Sequence, residues 1–338
     1  AGVLDEGSMH GRVDVNSEHH QIVNQQSETN VSDFRVGSLN VGTMRGRSGE
    51  VVELLTRRKI DVCCVQEVRW RGASTRLIVG KDSVYKFFWV GNSNGLGGVG
   101  LLVSNYLIDK IIDVKRLNDR LMMMKFLIGK RVVAIISAYA PQQGLDDEQK
   151  DKFYEELITL ASTINAGDLL IMGGDFNGHV GRDSNGYQGI HGGFGHGERN
   201  VEGERILEMG AALDMRVCNT FFKKRDSRLI TFRSGPTRTQ IDYFLINQND
   251  WNMIKDVKVI PGEEVVQQHQ LLICDLLVHP YKEEKRKFVP KRKVWKLKES
   301  KVREEFETLF QEKNQDDSLK ESVEEIWCSL RDDLLASS

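Results

Sequence analysis

The sequence lacks the cysteine pattern of a disulfide framework or of a cysteine-ligated zinc site. Its cysteines number five, which is odd, and no Cys-x-x-Cys pair occurs. Most of them lie inside apolar runs, so we interpret them as reduced, buried thiols of an intracellular protein. They are Cys63, Cys64, Cys218, Cys274 and Cys328.

Long apolar runs and an excess of either charge are also missing. No stretch approaches the roughly 20 apolar residues that span a bilayer, and the N-terminus is polar rather than signal-like. We therefore expect a soluble cytosolic or nuclear protein with no membrane partner. Lysine and arginine total 47 against 49 acidic residues, so any affinity for nucleic acid must come from local patches.

Composition divides the 338 residues into three segments. Residues 1–32 are polar and without periodicity, which predicts a disordered tail. Residues 33–280 carry the apolar patterning of a folded domain. Residues 281–338 begin with a basic stretch, either a solvated linker or a phosphate-contacting arm, and continue as two amphipathic helices that need a packing partner. The chain begins at Ala1 and ends within this helical pattern, so a fragment of a longer protein is one interpretation and a separate, domesticated protein is the other.

Short apolar runs separated by turn residues predict a mixed α/β domain. Apolar stripes with helical spacing occur at 51–55, 153–164 and 206–213. Many strands with few helices argue against a regular βαβ alternation and favour two stacked sheets with helices outside. The predicted strands are 34–40, 60–66, 84–90, 98–103, 121–128, 132–139, 169–174, 241–246 and 271–277.

Polar side chains follow several of these strands, which is where α/β folds place their sites. Glu67 follows the apolar run 62–65, and its carboxylate is a hard oxygen ligand suited to Mg²⁺. In the stretch 173–177 two glycines precede Asp175 and Asn177, which face the same side if the backbone stays extended. A simple Asx turn explains the same five residues.

Asp242 stands in an otherwise apolar strand, where an unpaired carboxylate is costly. A cationic or imidazole partner is therefore expected, and His269 is the natural candidate. A carboxylate that fixes the tautomer of a histidine lets that histidine stabilise charge on a phosphate oxygen. Either residue taken singly is more typical of a structural role.

In this order, the clusters resemble the endonuclease/exonuclease/phosphatase superfamily over residues 34–278. Finer details are similar to the endonuclease part of RTE-type non-LTR retrotransposons and of bucentaur-type craniofacial development protein 2 proteins. These details are the stretches Leu-Asn-Val-Gly-Thr-Met at 39–44, Val-Gln-Glu-Val-Arg-Trp at 65–70 and Gly-Glu-Arg-Asn at 197–200.

The resemblance implies a DNase I-like fold, a four-layer α/β sandwich of two stacked mixed sheets flanked by helices. It also implies a Mg²⁺ cofactor, with Mn²⁺ as a substitute, and places Asn40 and Glu67 on the metal side. The same resemblance places Tyr139 near the scissile phosphate.

The remaining roles follow from the same resemblance. Asp175 orients or deprotonates the attacking water, and Asn177 holds a phosphate oxygen. His269 stabilises the developing negative charge, and Asp242 orients His269. Metal and polar donors together supply the charge stabilisation on which phosphoryl transfer depends.

Two positions depart from the family pattern. Many members have Ser-Asp-His before the last strand, whereas this sequence has Gln267, Gln268 and His269, so a carboxylate that helps bind metal is replaced by a neutral amide. The aromatic wall of the abasic-site pocket corresponds to Thr239, which argues against specific recognition of abasic sites.

The leading hypothesis is a retrotransposon-derived, Mg²⁺-dependent DNA endonuclease of the nucleus that nicks DNA and leaves a 3′-hydroxyl. One alternative is a phosphatase of the same superfamily that acts on small molecules. Another is a non-catalytic scaffold associated with DNA or chromatin, which Gln268 and the fragment-like ends favour.

Overall fold

The structure, a computed structural model, describes residues 32–263, 265–279 and 300–313. The predicted tail up to residue 31, the basic stretch 285–298 and the second amphipathic helix lie outside these residues. The described part falls into two units, which we treat separately: residues 32–279, and helix α4 (Ser300–Lys313). None of the described helices is both long and apolar enough to cross a membrane.

The first unit is built mainly from strands, with three α-helices: α1 (Ser48–Arg57), α2 (Asp147–Ser162) and α3 (Val201–Ala212). Short 3₁₀ helices occupy Asn105–Lys110, Cys218–Phe221, Asp226–Arg228 and Gln248–Met253. The strands are β1 (Ser32–Asn40), β2 (Val62–Gln66), β3 (Ala73–Val79), β4 (Val84–Val90), β5 (Val99–Ser104), β6 (Ile111–Asn118), β7 (Leu121–Ile128), β8 (Arg131–Tyr139), β9 (Leu169–Asp175), β10 (Met215–Val217), β11 (Phe232–Ser234), β12 (Thr237–Thr239), β13 (Asp242–Asn247), β14 (Ile254–Ile260) and β15 (Leu271–Val278).

Two mixed sheets form the centre of the fold. The first sheet has seven strands in the order β14-β15-β1-β2-β5-β4-β3, and the second has six in the order β10-β13-β9-β8-β7-β6. Neighbouring strands are parallel between β1 and β2 in the first sheet, and between β8 and β9 in the second. All other described pairs in these two sheets are antiparallel, so both sheets are mixed.

Three apolar clusters hold the layers together. The central cluster joins the inner faces of the two sheets, with Cys64 and Leu101 from the first sheet against Ile135 and Phe244 from the second. A second cluster packs α2 and α3 on the outer face of the second sheet. The third packs α1 on the outer face of the first sheet. The arrangement is the predicted four-layer sandwich, so this prediction is confirmed.

Helices α2 and α3 begin where the sequence supplies caps. The Asp146 carboxylate accepts a hydrogen bond from the Gln149 backbone N–H at 2.8 Å, which caps α2. The Asn200 side chain accepts from the Gly203 N–H at 2.8 Å and caps α3 in the same way. Each helix then buries its apolar stripe against a sheet, as the sequence periodicity predicts.

Candidate active site

The candidate site lies at one rim of the sandwich, where the parallel strands of both sheets end. Asn40 is the last residue of β1 and Glu67 follows β2 directly; Asn40 pairs with Gln66 across the parallel ladder. Tyr139 ends β8 and pairs with Asp175, which ends β9. The carboxyl ends of four strands from two sheets therefore bring these polar groups together.

Two further residues of the site, Asp242 and His269, come from antiparallel neighbours. Asp242 begins β13 and pairs directly with Asp175 in the antiparallel ladder. His269 precedes β15, which runs antiparallel to β1, so it reaches the same rim from the opposite direction. Asp175, Asp242 and His269 are all nearly inaccessible to solvent.

Asn40 connects the two acidic side chains of the rim. Its Nδ2 donates to Glu67 Oε1 at 3.1 Å and to Asp175 Oδ2 at 2.9 Å. Its own oxygen accepts from the Gly42 N–H at 3.0 Å, which fixes the orientation of the amide. One neutral amide thus keeps two carboxylates next to each other.

Glu67 has two further partners. The Tyr139 hydroxyl donates to Glu67 Oε1 at 3.2 Å, and Arg69 pairs with Glu67 Oε2 at 2.7 Å. Burial acts to raise the pKa of Glu67, but the hydrogen bonds from Asn40 and Arg69 outweigh it and lower the pKa. Burial and then the charge of Glu67 raise the pKa of Tyr139, so its hydroxyl remains a donor.

Asp175 and Asn177 form a turn and do not continue the strand. Asn177 has a left-handed backbone with φ of 49°, and its N–H donates to Asp175 Oδ1 at 3.0 Å. The backbone does not stay extended, so the condition for both side chains to face one side is not met, and the alternative of an Asx turn is present. The Asn177 side chain donates to the Ala140 carbonyl oxygen at 2.9 Å, which holds it beside the end of β8.

Asp242 and His269 form a buried pair. His269 Nδ1 lies 3.1 Å from Asp242 Oδ2, and its other ring nitrogen, Nε2, lies 3.7 Å from Asp175 Oδ2. Burial acts to lower the pKa of His269, but Asp242 and then Asp175 outweigh it and raise the pKa to about 9. The imidazole is accordingly protonated at neutral pH.

The same cluster changes the protonation of Asp175. Burial, followed by the charge of Asp242, raises the pKa of Asp175 to about 7, although His269 and Asn40 act in the opposite direction. A carboxyl group with such a pKa exchanges protons near neutrality, as a general base requires. The cluster therefore combines a proton acceptor with a cationic donor.

Sequence reasoning missed the residues that hold this pair in place. Thr231 Oγ1 accepts from the N–H groups of Ile241 and Asp242 at 3.0 and 3.1 Å. Asn219 Nδ2 donates to the Asp242 carbonyl oxygen at 3.0 Å. The Phe232 ring packs edge-on against the His269 ring, with 4.9 Å between the centroids. Thr231, Asn219 and Phe232 act through backbone or packing contacts, which leave no local sequence signal.

The donor set fits a hard divalent cation on the Glu67 side. Glu67 is a partly accessible carboxylate next to Asp175, and Asp242 Oδ1 is a buried acceptor without a hydrogen-bond partner among the described residues. The Asn40 oxygen accepts a hydrogen bond from the Gly42 N–H, so in this arrangement Asn40 would not ligate the cation directly. It would instead orient Glu67, to which its Nδ2 donates. Donor atoms of Asp175, Asp242 and His269 lie within 4.8 Å of one another, but a protonated His269 does not ligate metal.

The two positions that depart from the family pattern lie near the two-stranded sheet β11-β12. Gln268 is exposed, and its Nε2 donates to Ser234 Oγ at 3.3 Å, so the amide is directed toward β11. Thr239 ends β12 and pairs with Phe232. Gln268 thus connects the segment before His269 to this sheet.

These features define a DNase I-like α/β sandwich with a carboxylate-rich rim and an Asp–His pair. The chain belongs to the Endonuclease/Exonuclease/phosphatase family, whose model matches residues 37–265.

Craniofacial development protein 2 of Bos taurus is 29% identical over 245 residues, which are 72% of this chain and 40% of that protein. Its counterpart in Tragulus javanicus is also 29% identical, over 72% of this chain and 42% of its own length. The chain therefore spans less than half the length of the curated relatives it matches.

Solved structures share the fold at low identity. The endonuclease domain of TRAS1, a telomere-specific non-LTR retrotransposon, is 14% identical with a TM-score of 0.52, over 72% of this chain and 98% of that one. The catalytic domain of Xenopus laevis APE2 is 16% identical with a TM-score of 0.54, over 74% of this chain and 94% of that one.

Proposed function

We propose that the chain is a Mg²⁺-dependent phosphodiesterase that nicks DNA and leaves a 3′-hydroxyl. The observation that supports it best is the meeting, at one rim, of Glu67, Asp175 and the Asp242–His269 pair. The likeness to a retrotransposon endonuclease domain and to craniofacial development protein 2 supports a retrotransposon-derived enzyme. A DNA substrate in turn implies a nuclear location.

Four side chains perform the proton transfer and the charge stabilisation. Asp175 accepts a proton from the attacking water, because its pKa of about 7 suits a base at neutral pH. Protonated His269 donates a hydrogen bond to a phosphate oxygen as negative charge develops, and Asp242 holds its ring. One N–H of the Asn177 side-chain amide donates to the Ala140 carbonyl oxygen, and the second N–H binds another phosphate oxygen.

Glu67, supported by Asn40, would hold a Mg²⁺ or Mn²⁺ ion, which when bound supplies positive charge for the phosphate oxygens. Tyr139 orients Glu67 through its hydroxyl and lies beside the place where the phosphate would bind. Because Gln268 adds no charge, Glu67 carries most of the metal affinity in this proposal.

A nucleic acid suits the rim better than a small phosphate ester. Arg45, Arg69 and Arg71 are exposed around the Glu67 side of the site, and a row of cations binds a polyanion by releasing its counterions. Inorganic phosphate released from inositol phosphates, in the absence of any plasmid nicking, would favour the phosphatase alternative.

The test is nicking of supercoiled plasmid by purified protein in Mg²⁺ and in EDTA. We expect Mg²⁺-dependent open circles from the wild type, and a loss of about 100-fold or more from Asp175→Asn and His269→Ala. Asp82→Asn, which changes an exposed carboxylate in the turn between β3 and β4, is the matched control and keeps activity.

Extension of the nicked plasmid by a DNA polymerase without prior phosphatase treatment checks for the 3′-hydroxyl. Salt-sensitive DNA binding without Mg²⁺-dependent turnover would replace the enzyme proposal with the scaffold alternative.

A further inference from the structure

Arg69 occupies one oxygen of the carboxylate that we assign to the metal. Arg69 Nη2 lies 2.7 Å from Glu67 Oε2, and the Arg69 side chain is 45% exposed against 16% for Glu67. Arg69 forms no ion pair with any other acidic side chain among the described residues. The guanidinium therefore neutralises Glu67 from the solvent side of the site.

The backbone of this segment is held by hydrogen bonds, whereas the exposed Arg69 side chain is held by its ion pair with Glu67. Glu67 and Arg69 both have left-handed backbones, with φ of 51° and 53°, which is costly for residues other than glycine. The Val68 and Arg69 N–H groups donate to the carbonyl oxygens of Gly98 and Gly97 at 3.1 and 2.7 Å. Any rearrangement at this carboxylate therefore falls to the Arg69 side chain.

A divalent cation and the guanidinium compete for the same negative charge. Two cations beside one partly buried carboxylate repel each other, and the repulsion is stronger than in bulk water. Metal binding at Glu67 is consequently weakened by Arg69, and metal binding in turn weakens the hold of Glu67 on Arg69.

A released Arg69 has other cations for neighbours. Arg45 Nε donates to the Arg69 carbonyl oxygen at 3.0 Å, and a Cβ placed on Gly95 would lie 3.0 Å from Arg45 Nη2 and 3.2 Å from Arg71 Cγ. Within the described ranges neither Arg45 nor Arg71 forms an ion pair. A phosphate diester group is the anion whose geometry suits a free guanidinium at this rim.

We propose that Arg69 exchanges Glu67 for a substrate phosphate when the metal binds, so that metal binding and DNA binding reinforce each other. This inference rests on the proposed function, since it takes DNA as the substrate and Glu67 as the metal ligand. Reciprocity follows from linkage: DNA that captures Arg69 must tighten metal binding by the same factor by which metal tightens DNA binding.

The first test measures Mn²⁺ binding without DNA, by the loss of the free-ion paramagnetic resonance signal. Arg69→Gln removes the competing cation, so we expect its Kd for Mn²⁺ to fall by at least about fivefold, the lower end of coupling between sites. Arg69→Lys keeps the charge and should stay near the wild type. Thermal melting of each variant checks that the fold is intact.

The second test measures binding of a short fluorescent duplex by anisotropy, in EDTA and in Ca²⁺, with the duplex checked for cleavage afterwards. The ratio of the DNA affinity in Ca²⁺ to the DNA affinity in EDTA should be at least about fivefold larger for the wild type than for Arg69→Gln. Arg71→Gln is the matched control: it should weaken binding in both conditions and leave the ratio unchanged.

Two results would overturn the inference. In one, Arg69→Gln binds Mn²⁺ no more tightly than the wild type. In the other, it weakens DNA binding equally in EDTA and in Ca²⁺, as Arg71→Gln should. Both are compatible with Mg²⁺-dependent nicking by the wild type, so they leave the proposed function standing. A wild type that neither nicks plasmid nor binds Mn²⁺ removes the proposed function and this inference together.

Discussion

Asn40 illustrates why a neutral side chain stands between the two acids of the rim. Its amide donates to Glu67 and Asp175 at once, and its oxygen is held by Gly42. A carboxylate at this position would place three negative charges within hydrogen-bond distance, and burial would then raise their pKa values and favour the protonated forms.

At the scale of single residues, sequence reasoning identifies the acids because each interrupts an apolar strand or follows one, and it identifies His269 as the partner that a buried Asp242 requires. It does not identify partners that act through the backbone. Thr231 precedes Asp242 by eleven positions and holds its N–H, a contact that only the hairpin geometry creates. Arg69 was within reach of sequence reasoning, since it stands two residues after Glu67.

The Asp242–His269 pair makes stability depend on pH. The pKa of His269 rises from the ordinary value of 6.5 to about 9 on folding, so its contribution is complete below pH 6.5 and is lost as pH rises through about 9. The pKa of Asp175 is raised from 3.8 to about 7, so its contribution to stability is lost as the pH rises between these two values. Between pH 7.5 and 9.5 the change therefore belongs mainly to His269.

We expect the free energy of unfolding of the wild type in EDTA to fall by about 2 kcal/mol more than that of His269→Gln over this range. Urea titrations at both pH values measure it. Burial also raises the pKa of the Cys63 and Cys274 thiols, whose ionisation on unfolding lowers stability at high pH, but that change is common to both proteins and cancels. Parallel curves for the two proteins would contradict the assigned pair.

At the scale of elements, all nine strands predicted from apolar patterning are present, within about two residues at each end. The strands that patterning missed in the two large sheets are β3, β6, β10 and β14, and these are the four edge strands. An edge strand has a partner on one side only, and β3 and β6 accordingly carry exposed polar residues and apolar runs of no more than three residues. An edge strand therefore forms because the adjacent inner strand pairs with it, and its own sequence does not show that it is a strand.

The helices offer a direct contrast between packing and propensity at glycine. A Cβ on Gly203 in α3 would overlap the His179 carbonyl oxygen, whereas one on Gly49 in α1 would meet nothing within 4 Å. We expect Gly203→Ala to lower the free energy of unfolding by about 1–3 kcal/mol through overpacking. Gly49→Ala should raise it by up to about 1 kcal/mol through helix propensity.

Urea unfolding of both variants measures the two effects. A stabilising Gly203→Ala would show that the loop before α3 moves away from the helix at little cost, and would remove the packing argument.

At the scale of the whole molecule, the fold survives at 14% and 16% identity to solved relatives because it depends on pattern more than on particular residues. The central cluster needs apolar side chains on two inner faces, and many residue types satisfy that requirement. The site is more demanding, since it needs particular groups at the ends of β1, β2, β8 and β9. A fold class can therefore be predicted from composition and periodicity. The replacement of a family carboxylate by Gln268, in contrast, can be recognised only by comparison with relatives.

The boundary of the folded domain is the prediction that belongs to this scale. The first structural unit ends near residue 281, so we expect a fragment of residues 33–280 to unfold cooperatively with a midpoint within about 3 °C of the full chain. It should retain Mg²⁺-dependent nicking. The basic stretch 285–298 is rich in lysine and arginine, and its removal should weaken DNA binding most at low salt.

Anisotropy titrations from low to physiological salt separate an arm from a linker. For an arm, the slope of log affinity against log salt becomes shallower by about 0.9 for each phosphate that the fragment no longer neutralises. Equal slopes for fragment and full chain would identify the stretch as a solvated linker and assign phosphate binding to the arginines of the rim. A fragment that fails to fold would instead show that residues outside 33–280 stabilise the sandwich, which contradicts the predicted domain boundaries.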